Sequence, residues 1–204
     1  MAKHKIKSPT RKKNKRAISE DLEKFGLTLS QAEGQLLEAA DLASDMASAG
    51  YGILKGITDL SESRWVDEFS GHALCDLWFG EVTKKSQVKK VRNRMDSICN
   101  RIQRGLTIRF RPQKERTHDA HNRGTFFEPS TFKVFPFIFD EDMNYIASTY
   151  IHELMHVWFK DQKLGMEPVY GDQAALDLAK YHPRRARKSA ENYAFFCEEA
   201  LKNK

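Results

Sequence analysis

The segment 143–159 constrains this chain more than any other, because it holds one charged residue, Glu153, among closely spaced apolar and aromatic ones. Tyr145, Ile146, Tyr150, Ile151, Leu154, Met155, Trp158 and Phe159 recur at helical spacing and predict a largely buried helix. Inside it stands the run Ile151-His152-Glu153-Leu154-Met155-His156-Val157-Trp158. Histidines four residues apart share one helix face, so both imidazoles can reach a single metal ion. A glutamate beside the first of them can reach a water on that ion. The five-residue pattern alone is weak, since a surface helix with two unrelated histidines matches it equally well. Burial favours the metal, because polar side chains on a buried helix need partners for their ring nitrogens and carboxylate.

A chain of 204 residues predicts one main domain with a sizeable core. It has no run of 18 apolar residues, so no transmembrane helix is expected. The formal charge of +6 is unevenly spread. Residues 1–16 carry eight Lys or Arg and no acid, and the rest of the chain has 26 basic against 28 acidic residues. The first 18 residues are therefore expected to form a disordered basic tail ahead of a single domain over 19–204. The tail's candidate partners are nucleic acid, an anionic membrane or an acidic protein, and a merely solubilising tail fits the same charges. No apolar run follows the basic residues, so synthesis in the cytoplasm without an ordinary secretory signal is expected, with specialised export compatible. Cys75, Cys99 and Cys197 are scattered and odd in number, which argues against a disulfide framework and a cysteine metal knuckle.

Helical periodicity runs from about Ser19 to Lys55, with Thr28 and Ser30 as caps and a break at Gly50 and Gly52. Together with the residues up to 68 this makes a helical N-terminal part. Further helices are expected over 60–78 and 85–104. Strands follow at 106–110, 125–127 and 132–135, then the histidine helix, then a helical region over 172–201 interrupted near Pro183. This order predicts an α+β fold, mostly helical, with a small and mainly antiparallel sheet packed on the histidine helix. Phe132–Phe135 is expected to be an edge strand that pairs with an extended substrate. The cluster His118-Asp119-Ala120-His121 lies in a polar loop and reads as a bystander.

A catalytic zinc has three protein ligands and an open position. Asp161, Glu167 and Asp172 are the candidates for the third.

From Tyr150 onward the chain resembles the deuterolysin, or aspzincin, metallopeptidases, in particular their lysine-specific endopeptidase branch. The resemblance is carried by His152-Glu153-x-x-His156, Tyr170-Gly171, Leu178-Ala179, Pro183, Ala186 and Ser189-Ala190-Glu191-Asn192-Tyr193-Ala194-Phe195-Phe196. Trp78-Phe79-Gly80 and the following helix extend it upstream. It implies a zincin-like fold and one Zn²⁺ per chain held by His152, His156 and Glu167, with Asp161 as the fallback ligand. It also implies Glu153 as general base and Tyr170 as the donor to the oxyanion. Two departures stand out. Glu167 falls where the family has an aspartate. Of the two acids that receive a substrate lysine, Glu191 is present and Ala194 replaces the other. The implied activity is a zinc endopeptidase acting on protein or peptide, with some preference for a basic residue after the scissile bond. Rival readings are an exported toxin or effector with the same chemistry, and a non-catalytic module that binds through its basic tail.

Overall fold

A computed structural model describes residues 3–112, 120–121, 131–159 and 169–204. The frame is α2 (Leu29–Thr58), which begins at a capping box. The Thr28 hydroxyl accepts from the Gln31 amide, and the Gln31 side chain accepts from the Thr28 amide at 2.9 Å. One face of α2 is lined by Ala32, Leu36, Ala39, Ala40, Ala43, Met46, Ala47 and Leu54, all buried. These mostly small residues let three helices approach it: α5 (Lys85–Gln103), α6 (Met143–Phe159) and α9 (Ala190–Lys202). The break expected at Gly50 does not occur. A Cβ there would lie 3.0 Å from Cys197 Sγ and 3.1 Å from Phe196 Cε1, so the glycine serves close packing on α9. The three cysteines are free and buried.

Other expectations need correction. The sheet has the order β1-β2-β4-β3, formed by β1 (Lys5–Lys7), β2 (Thr107–Phe110), β3 (Ala120–His121) and β4 (Thr131–Val134). It is mainly parallel, not mainly antiparallel: β1 pairs parallel with β2, and β2 with β4. Only the two-residue β3 joins antiparallel, against Lys133 and Val134. The reason is connectivity. β2 ends at Phe110 and β4 starts at Thr131, a span far longer than a hairpin loop, while β1 arrives from the far side of five helices. β4 is also flanked on both sides, so the expected substrate-pairing edge at 132–135 is an interior strand. The strand expected at 125–127 lies outside the described residues.

The basic N-terminus is ordered where disorder was expected. Strand alternation turns Ile6 toward the core and Lys5 and Lys7 outward. The His4 imidazole is nearly enclosed, and its Nδ1 accepts the Leu106 amide at 3.0 Å. Gly105, with φ at 99°, makes the approach possible, since a Cβ there would stand 2.6 Å from the Lys3 carbonyl oxygen. Helix α1 (Lys12–Glu23) then buries Ile18 and Leu22 completely and exposes its lysines.

Short helices α3 (Trp65–Gly71) and α4 (Ala73–Phe79) divide the expected 60–78 helix at His72. Helices α7 (Asp172–Tyr181) and α8 (Pro183–Ala186) lead into α9. The fully buried Asn192 pins this region, its Nδ2 donating to the carbonyls of Trp78 at 2.7 Å and Ala175 at 2.8 Å. Gly80, with φ at 62°, presses directly on the Ala179 carbonyl, where a Cβ would come within 2.2 Å. Arg187 Nη1 caps the turn by donating to the Glu81 carbonyl at 2.6 Å. These contacts fix the N-terminus of α9 beside α6. Among the described residues, no helix is long and apolar enough to cross a membrane.

Candidate metal centre

Helix α6 is held on several sides before its histidines take part. Ile146, Ala147, Tyr150, Ile151, Leu154 and Met155 are buried. The Tyr150 hydroxyl donates to the Leu36 carbonyl of α2 at 3.3 Å, and its ring meets Phe132 of β4 at 5.3 Å. This packing orients the remaining face, where His152, Glu153 and His156 place their ligand atoms within 4.8 Å of one another. The Nε2 atoms of His152 and His156 stand 2.7 Å apart, with ring centroids at 4.4 Å.

The other nitrogen of His152 is also engaged. Its Nδ1 lies 2.6 Å from Glu191 Oε2, and both side chains are largely enclosed. A carboxylate accepts only, so Nδ1 is the donor, the tautomer of the neutral imidazole that leaves the Nε2 lone pair for a metal. Nε2 faces the Nε2 of His156. Two imidazole nitrogens converging beside a carboxylate make a donor set suited to zinc, so the residues present fit the ion that the sequence implies.

Glu191 reaches His152 because it occupies the first turn of α9, where the helix dipole favours a carboxylate. Its second oxygen, Oε1, accepts the Gly171 amide at 2.7 Å. Gly171 has φ at 88° and caps α7, a conformation that a residue with a side chain rarely adopts. The residue before it, Tyr170, stacks its ring on His152 at a centroid distance of 5.9 Å and 21° between planes. Tyr170 is 64% exposed. Partial burial first, then the charges of Glu153 and Glu191, hold its phenol above the ordinary tyrosine value. The hydroxyl therefore stays protonated, as a donor, through neutral pH.

The structure thus brings together His152, Glu153, His156, Tyr170 and Glu191. Glu167 and Asp161, two of the three candidates for a third ligand, lie outside the described residues, as do His118 and Asp119; the third, Asp172, opens α7, where its Oδ1 accepts the Gln173 amide at 2.7 Å, and it is not part of the His152, Glu153 and His156 cluster. The sequence reading missed the Glu191–His152 hydrogen bond and the role of the Gly171 amide. The one available signal was the resemblance at Tyr170-Gly171 and Glu191, which says nothing of what the carboxylate touches.

A helix-borne His-Glu-x-x-His cluster backed by a mixed sheet defines a zincin-like arrangement. The solved structure of a zinc peptidase from Grifola frondosa superposes on this chain with a TM-score of 0.65 and 18% sequence identity, covering 85% of this chain and 97% of the other. At that identity the likeness establishes the fold alone. No protein-family model matches the chain, and neither does any curated protein.

Proposed function

We propose that this chain is a zinc-dependent endopeptidase whose centre is His152, Glu153 and His156, with Glu167 completing the ligand set. The observation that carries the reading is the convergence of the two histidine Nε2 atoms beside Glu153 on one helix of this fold. Zinc held there would polarise a peptide carbonyl and acidify a water. Glu153 takes the proton from the attacking water on its carboxylate and passes it to the leaving amine. Tyr170, protonated and exposed, donates a hydrogen bond to the developing oxyanion.

The exposed Lys5, Lys7, Arg11, Lys12, Lys13 and Lys15 are the surface at which an anionic partner would bind. Reversing the charge of Lys12 and Lys13 should weaken that binding and leave cleavage intact.

Digestion of a peptide library with and without a chelator tests the main reading. Cleavage that disappears with the chelator and returns with zinc is expected. Cleavage indifferent to the chelator, or none by zinc-loaded protein, would remove the assignment.

A further inference from the structure

We infer that Glu191 is a positioning residue for the metal centre rather than the acid of a substrate pocket. The inference rests on the zinc reading above and goes beyond it. Both carboxylate oxygens already have partners: Oε2 receives His152 Nδ1 at 2.6 Å, and Oε1 receives the Gly171 amide at 2.7 Å. The side chain is largely enclosed, and its backbone is fixed by Asn192, the next residue, which ties α9 to α4 and α7. A carboxylate available to a substrate lysine would present an oxygen to the open side. This one is turned toward the protein.

The arrangement has two consequences. The bond to Nδ1 holds His152 in the tautomer whose Nε2 lone pair faces the metal position, and it increases that nitrogen's basicity. The bond to Gly171 fixes the loop residue that follows Tyr170, so the same carboxylate sets where the phenol ring lies over His152. Metal ligand and oxyanion donor are thereby registered to each other through one side chain. A glutamine cannot reproduce this, because its amide nitrogen donates and one of the two N–H partners must be lost.

The test compares the wild-type chain with Glu191→Gln, using zinc affinity by competition with a chromophoric chelator. Far-ultraviolet circular dichroism and the melting temperature serve as fold controls. A positioning role predicts a zinc affinity lowered by about 10- to 100-fold. Unchanged affinity in a folded variant would overturn the inference, and a simultaneous loss of preference for a basic residue would return Glu191 to the substrate pocket. Nitrogen-15 NMR of the zinc-loaded wild type gives a readout independent of any variant. His152 should carry its proton on Nδ1, and a proton on Nε2 would overturn the inference even if zinc binds. A wild-type chain that takes up no zinc would instead fail the peptidase reading itself, so the two failures are distinguishable.

Discussion

The metal centre on α6 and α9 and the N-terminal segment of β1 and α1 are stabilised in opposite ways. On α6 the decisive spacing is local: residues four apart share a face, and a buried helix presents them together. In the N-terminal segment little that is local favours order, since eight of the first 16 residues are lysine or arginine and none is acidic. It is held by long-range contacts, namely pairing with β2, the enclosed His4, the gap at Gly105, and Ile18 and Leu22 against the core. A charged sequence folds here because a few apolar residues fall on one side. The difference teaches that charge density marks a surface, not an absence of structure.

This contrast can be broken or sharpened by measurement. The largest effect is expected at His156→Ala, which removes one of two converging nitrogens and should abolish stoichiometric zinc uptake, read by elemental analysis. Retained stoichiometric zinc would show that the ion sits elsewhere. Tyr170→Phe should lower kcat by about 10²- to 10³-fold, the usual effect of losing one oxyanion donor, with little change in melting temperature because the side chain is exposed. A kcat within a few-fold of wild type would leave Tyr170 a packing partner of His152.

In the other region the effects should fall on stability. Leu22→Ala empties a fully buried site on α1 and should cost about 2–5 kcal/mol in urea unfolding, which would not happen if the segment were a loose tail. Gly105→Ala forces a side chain into a positive-φ position against the Lys3 carbonyl and should cost about 1–3 kcal/mol, with kcat/KM of the folded protein unchanged. Lys12→Ala and Lys13→Ala, on the exposed face of α1, should move stability by no more than about 0.5 kcal/mol. Removing residues 1–16 altogether would strip β1 from the sheet and shorten α1, so it would report on folding as well as on any partner of the basic residues.

What could be read from the sequence follows the same division. The cap at Thr28, the helix expected over 85–104, the strands expected at 106–110 and 132–135 and the histidine helix are local patterns and were legible to within a residue or two. The parallel pairing of the sheet was not, because strand direction depends on how the chain crosses over between Phe110 and Thr131. Gly50 read as a helix break because glycine punctuates chains locally, whereas here it answers to Phe196 and Cys197 in a distant helix. At the site, His152, Glu153 and His156 were visible from spacing. The partner of Glu191 was hidden because a hydrogen bond between residues 39 apart in sequence has no periodic signature.

The central claim is that Glu153 handles the proton in metal-dependent peptide hydrolysis. The most direct measurement is peptide cleavage by zinc-loaded Glu153→Gln, with zinc content determined on the same sample. Zinc should be bound as in the wild type and cleavage reduced by about 10²- to 10⁴-fold, the usual contribution of general acid–base catalysis. Cleavage at the wild-type rate by a zinc-loaded variant would contradict it.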